Sequence, residues 1–238
     1  MSETQHWTIP VGSDTTSAAY DAPSKGDTGI VFVCAHGAGG NMNDRAMLQV
    51  ANQLGSRGIG VVRFNFLYKE KKSGRPDAMP RLEAAFAAVV DKTRTELNPK
   101  KLIIGGRSMG GRAASMMAAE KFDCDGLLLL AYPLHPPGRP EKIRDAHLPS
   151  IEVPVLCFCG TRDPFCTPSL MEKAITTVNT DWEMHWIEGA DHSFHVLKSS
   201  GRTDADVMKE FADTTAHWGQ TLIGVRPLRP EGQTLKTP

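Results

Sequence analysis

The sequence has no excess charge of either sign: Lys plus Arg number 27, and so do Asp plus Glu. A balanced chain creates no global field to draw in a polyanion, so neither nucleic acid nor an acidic membrane surface is an expected partner. Long apolar runs are missing as well. The longest, residues 127–132, is too short to cross a bilayer and has the length of a buried strand. Residues 1–8 contain an acid and no apolar segment, so no secretory signal is expected. Cysteine is sparse and odd in number, five in all at irregular spacings, which is not a disulfide framework. Cys157 and Cys159 share one face of an expected strand but lack the second pair that a zinc site requires, so no metal is expected. Reduced core thiols in a cytoplasmic protein are the reading that fits. No G-x-G-x-x-G and no G-K-[ST] phosphate loop occurs, and no organic cofactor is expected. Internal repeats, linkers and low-complexity blocks are absent too.

What is present is an alternation. A chain of 238 residues can bury a sizeable core without a staple, and one domain over 1–225 is the economical reading. A tail over 226–238, rich in Pro and Gly breaks, is expected to fray. Ile30–Ala35 is a continuous apolar run ending at glycines, the pattern of a strand buried on both faces. Met47, Val50, Ala51 and Leu54 then recur at helical spacing, with Gly55 and Gly58 as stops. Strands follow over 60–66, 102–105, 126–132, 153–159 and 182–187. Helical stripes occur after Pro80 (Leu82, Ala85, Phe86, Val89, Val90), over 110–121 and over 204–218. Residues before 28 have room for one or two edge strands. Strands alternating with helices predict an α/β fold, a mostly parallel sheet with helices on both faces. Ligands then gather at the carboxyl ends of the strands.

The unusual residues lie at those ends. Gly106-Arg-Ser-Met-Gly110 joins the 102–105 strand to a small-residue helix, the strand–turn–helix context in which G-x-S-x-G lifts a serine above the sheet. Ser108 is the candidate nucleophile. In this architecture the acid and base follow in that order. Asp163, in Gly160-Thr-Arg-Asp163, follows one strand, and His192, in Gly189-Ala-Asp-His192, follows the next. A serine hydroxyl is a weak nucleophile at neutral pH, so His192 takes its proton and Asp163 orients the imidazole. Asp191 and Asp181 are rival acids, and His195 is the rival base. His36-Gly-Ala-Gly-Gly40 directly follows the first central strand. Its Ala38 N–H and the Met109 N–H are the expected oxyanion donors, with His36 bracing the loop.

Only 133–152 separates two strands where a helical lid could stand, and prolines stiffen it. The site is therefore expected to have a minimal lid or none, suited to a small acyl group. His135 sits at this rim as a candidate substrate contact. Arg107 and Arg162 adjoin the candidate nucleophile and acid. They could bind a substrate carboxylate, Arg107 being the stronger candidate, or could hold the loops.

The runs His36-Gly-Ala-Gly-Gly-Asn-Met-Asn43, Gly105-Gly-Arg-Ser-Met-Gly-Gly-Arg112, Tyr132-Pro-Leu-His-Pro136 and Ala190-Asp-His-Ser193, with His185-Trp-Ile-Glu188, resemble one branch of the α/β-hydrolase superfamily. That branch holds dienelactone-hydrolase-like bacterial proteins, a testis-expressed hydrolase-like protein and a scaffold subunit of the non-specific-lethal histone acetyltransferase complex. The resemblance spans about 29–220. It implies the α/β-hydrolase fold and the Ser108, Asp163, His192 triad. The intact triad and the short lid segment point to a serine hydrolase acting through an acyl-enzyme, with a small-molecule ester or thioester as partner. Dienelactone hydrolases use cysteine where this chain has Ser108, so dienelactone chemistry itself is not implied. Acyl transfer or peptide cleavage by the same triad, and a scaffold role for the fold, are the competing functions.

Overall fold

Residues 4–224 are described by the computed structural model; the expected tail over 226–238 lies outside them. In chain order the elements are β1 (Thr4–Val11), β2 (Asp14–Asp21), β3 (Ile30–Ala35), α1 (Arg45–Gly55), β4 (Ile59–Phe64), α2 (Leu67–Glu70), α3 (Met79–Leu97) and β5 (Lys101–Arg107). Then come α4 (Met109–Ala119), β6 (Gly126–Leu130), β7 (Val155–Gly160), α5 (Pro168–Ile175), β8 (Trp182–Ile187) and α6 (Asp204–Leu222). The strands form one sheet in the order β1-β2-β4-β3-β5-β6-β7-β8. β1 and β2 are the expected edge strands and pair antiparallel; from β4 to β8 the sheet is parallel.

The unbroken apolar runs have a simple cause: both faces of the sheet are covered. Along β3, Val31, Val33 and Ala35 enter the core beneath α3, α4 and α5, while Ile30, Phe32 and Cys34 enter the core beneath α1 and α6. Met47, Val50, Ala51 and Leu54 of α1 meet Val207, Phe211 and Trp218 of α6 in that second core. No helix among the described residues is long and apolar enough to cross a membrane.

Several boundaries differ from the sequence reading. β6 stops at Leu130 rather than 132, because Ala131 takes φ 51 and turns the chain out of the sheet. α4 ends at Ala119 as Lys121 adopts φ 65. β4 ends two residues early, at Phe64, and the Phe66 N–H leaves the sheet to donate to His36 Nε2 at 3.2 Å. α6 runs on to Leu222, beyond the expected 218, and starts from a capping box between Thr203 and Asp206. The short helices α2 and α5 have too few apolar positions to read from periodicity. Between β6 and β7 the chain forms only a 3-10 turn at Leu148–Ser150, so no helical lid covers this end of the sheet.

The strand order reverses at β3: its successor β4 lies on one side and β5 on the other. The switch opens a crevice at the carboxyl ends of β3 and β5, where Ala35 pairs with Gly106. The His36 loop and the Ser108 turn therefore leave the sheet side by side.

Candidate active site

Ser108 occupies the turn between β5 and α4 at φ 49 and ψ −114, a conformation that L-residues avoid. The surroundings hold it there. Its N–H donates to Leu130 O at 2.8 Å, and its carbonyl accepts the Arg112 N–H at 3.0 Å in the first turn of α4. Gly106 at φ 141 lies against the Ala35 backbone, where any Cβ would collide with the Ala35 carbonyl oxygen. A Cβ at Gly110 would strike the same residue. The glycines on both sides of the serine are thus demanded by the close passage of β3.

Asp163 and His192 arrive from the loops after β7 and β8. His192 Nε2 lies 3.0 Å from Ser108 Oγ, and His192 Nδ1 lies 2.8 Å from Asp163 Oδ2. With the imidazole proton on Nδ1, the ring donates to Asp163 and accepts from the serine hydroxyl. The Asp163 side chain is fully buried, and its other oxygen accepts the Phe165 N–H at 2.8 Å. Phe165 then packs on the His192 ring with centroids 4.3 Å apart. The imidazole is therefore oriented by a hydrogen bond on one edge and an aromatic face beside it.

The rivals are placed elsewhere. His195 is 57% exposed in its side chain and hydrogen-bonds the Asp204 carboxylate, which raises its pKa above the ordinary histidine value. Asp191 turns inward on its own loop, accepting the Ser193 N–H at 2.7 Å and the His195 N–H at 3.1 Å. Asp181 precedes β8, and its carbonyl takes the Val155 N–H at the start of β7, the opposite end of the sheet.

The loop after β3 is braced by His36. Its Nδ1 meets Gly37 O at 2.7 Å and its Nε2 accepts the Phe66 N–H at 3.2 Å. That pattern needs a neutral ring donating from Nδ1, and burial lowers its pKa accordingly. Gly37 O and the Ala38 N–H belong to one peptide unit, so fixing the carbonyl aims the N–H. Tyr68 Oη adds a bond to Ala38 O at 2.7 Å. Neither the Ala38 N–H nor the Met109 N–H has a hydrogen-bond partner among the described residues, and both residues line a cavity with Ser108. Met109 is the first residue of α4, where unpaired N–H groups and the helix dipole favour negative charge.

Two further sequence candidates are bonded within the protein, and Arg107 also lines the cavity that holds Ser108 and His192. His135 is buried: its Nδ1 faces Pro136 O at 3.0 Å, and its Nε2 lies 2.9 Å from Thr167 Oγ1 and 3.1 Å from the Thr167 N–H. With both ring nitrogens engaged it ties the loop before β7 to α5 and presents nothing to substrate. Arg107 reaches back across the site and donates from Nη2 to His192 O at 2.6 Å, its guanidinium lying over the Phe194 ring. Arg162 likewise donates to Gly189 O at 3.1 Å. Tyr68 and Phe165 gave no sequence signal, because neither belongs to a motif.

Two cavities meet at Ser108. One, about 350 Å³, runs along His36–Gly40 to His192; the other, about 380 Å³, runs past Met109 toward α3 and the 131–154 loop. Both are of a size for small ligands. Among the described residues no group of three or more His, Cys, Asp or Glu could hold a metal ion.

A family described as alpha/beta hydrolase domain matches residues 28–220. The fold recurs in an α-β serine hydrolase homologue from Coxiella burnetii, 19% identical with a TM-score of 0.74, over 90% of this chain and 98% of that one. It recurs in XC6422 from Xanthomonas campestris, described as an a/b serine hydrolase without lid: 22% identical, TM-score 0.73, 91% and 95% covered. A dienelactone hydrolase from Anabaena variabilis is 18% identical, with a TM-score of 0.72 over 92% of this chain and 98% of that one. At such identities the likeness is one of fold.

Proposed function

The chain belongs to the alpha/beta hydrolase domain family, and from that premise we propose that it is a serine hydrolase cleaving a small carboxylic ester or thioester through an acyl-enzyme. The observation that carries this reading is the unbroken line Ser108 Oγ, His192 Nε2 and Nδ1, Asp163 Oδ2, at 3.0 and 2.8 Å, beside two unspent backbone N–H groups. Fold alone would not license it.

In the first half-reaction the Ser108 hydroxyl passes its proton to His192 Nε2 as Oγ bonds the substrate carbonyl carbon. The carbonyl π pair moves onto oxygen, where the Ala38 and Met109 N–H groups receive it; each such donor is worth about 10²–10³ in rate. Collapse of the tetrahedral species expels the alkoxide or thiolate, which takes the proton back from Nε2. Water repeats the sequence on the acyl-enzyme. It gives one proton to Nε2, adds its oxygen to the acyl carbon and releases a carboxylic acid and free Ser108. Asp163 stays ionised throughout and stabilises the imidazolium. This chemistry calls on no metal or organic cofactor.

The uncovered sheet edge supports a small or exposed acyl group, and the five unpaired cysteines, four of them buried, support a reducing compartment such as the cytoplasm. The specific motif runs support placement in the branch with the testis-expressed and non-specific-lethal-complex proteins. A fluorophosphonate probe and short p-nitrophenyl esters test the reading. Labelling and turnover that vanish in Ser108→Ala support it; native protein that shows neither, or labelling that survives the substitution, overturns it.

A further inference from the structure

The cavity running past Met109 carries one arginine on its wall from the α4 side and one from the 131–154 loop, neither of them in an ion pair among the described residues. Arg112 lies one turn beyond Ser108 on α4. Among the described residues its only side-chain hydrogen bond runs from Nη1 to Met116 Sδ at 3.3 Å, and its Nε is buried without a partner there. Arg144 reaches the same wall from the 131–154 loop, where its N–H is tied to Leu134 O at 2.8 Å. Its side chain makes no hydrogen bond among the described residues. Neither guanidinium has a carboxylate within 4.0 Å there. The cavity's one acid, Asp77, is committed elsewhere, accepting the Tyr68 N–H at 2.9 Å and lying 3.2 Å from Arg81 Nε.

Glu83 on α3 is the nearby acid: burial and Glu120 raise its pKa while the Arg112 charge lowers it, yet no ion pair joins it to Arg112 among the described residues. Burial and the positive charge of Arg112 together lower the pKa of Arg144. Both side chains are partly buried, and the two like charges at one wall repel each other in the free protein. Guanidinium forks match the two oxygens of a carboxylate.

The side of the site matters too. His192 must hand its proton to the leaving group, so that group departs along the cavity lined by His192. The acyl portion then occupies the cavity lined by Met109, Arg112 and Arg144. We propose that Arg112 and Arg144 form an anion subsite for the acyl portion, so that the preferred substrate is a monoester or monothioester of a dicarboxylic acid. This rests on the hydrolase reading above and names its substrate class.

The test pairs p-nitrophenyl monoesters of glutarate, adipate and pimelate with uncharged acyl esters of matched length. In the native enzyme the best anionic ester is expected to exceed its neutral match in kcat/KM by about ten-fold or more. Arg112→Gln and Arg144→Gln should collapse that ratio, Arg144→Lys should restore part of it, and Lys209→Gln, on the far surface, should leave it alone. Equal turnover of both esters in the native enzyme, or a ratio that the arginine variants leave intact, overturns the proposal while the hydrolase reading stands. If neither ester turns over, that reading falls and calorimetry decides. Adipate should bind Ser108→Ala, and the added Arg112→Gln or Arg144→Gln should abolish the binding; no binding to Ser108→Ala overturns the subsite.

Discussion

Arg107 Nη2 donates to the carbonyl of His192 at 2.6 Å, a bond spanning 85 positions of sequence that clamps the loop of the candidate base to the strand that carries the nucleophile. Because the contact is to backbone, it positions His192 without touching its ring nitrogens. Arg107→Gln should lower kcat by about ten-fold or more with little change in KM, as expected for a lost geometric constraint. A rise in KM at constant kcat would instead return Arg107 to the substrate.

The strain at Ser108 separates activity from stability. Ser108→Ala should reduce turnover by about 10⁴-fold or more. It keeps a Cβ at φ 49, which L-residues occupy at a cost of roughly 1–2 kcal/mol. Ser108→Gly removes that cost. Differential scanning calorimetry should find the glycine variant melting about 2–4 °C above the alanine one; a lower melting point would mean that the turn is not strained.

His36 holds the Gly37–Ala38 peptide plane through the Gly37 carbonyl. With His36→Phe the Gly37 carbonyl loses its donor and the Ala38 N–H loses its aim, while Ser108, His192 and Asp163 keep their bonds. A drop in kcat of about 10–100-fold, with fluorophosphonate labelling slowed but not abolished, is the expected result. Unchanged kcat would remove Ala38 from the oxyanion site.

His147 predicts an acid limb of stability. Its Nε2 lies 2.9 Å from Ser115 Oγ and 3.2 Å from Tyr132 Oη, and burial with the nearby Arg112 charge pushes its pKa down to about 4. Unfolded, it titrates near 6.5. Between about pH 6.5 and 4 the unfolded chain binds the extra proton, so stability falls as pH falls through that window. The loss attributable to this half-buried group is on the order of 2 kcal/mol after solvent screening. Urea melts of His147→Gln should lose less stability than the native protein between pH 7 and 4; parallel curves would refute the assignment.

Much of this was legible from residues alone. Continuous apolar runs marked β3, β5, β6 and β7 because both faces of the sheet are buried, and Gly106-Arg-Ser-Met-Gly110 marked the turn because only glycine fits beside Ala35. Asp163 and His192 followed from their places after successive strands. The roles of Arg107 and His135 did not, because a side chain beside a motif can turn to substrate or to a neighbouring loop, and sequence spacing is silent on which. Arg112 stood inside a recognised run without a role, for its place on one cavity wall with Arg144 is a tertiary contact.

The order of strands and helices, the glycine-flanked turn and the three candidate triad residues were thus legible from local pattern, since apolar periodicity and glycine sterics act over a few residues. Which histidine meets Ser108, how Arg107 is spent and where two unpaired guanidiniums converge were decided by tertiary structure. Those are contacts between loops brought together at the sheet's carboxyl edge, and burial and hydrogen-bond geometry there settle what neighbouring residues in sequence leave open.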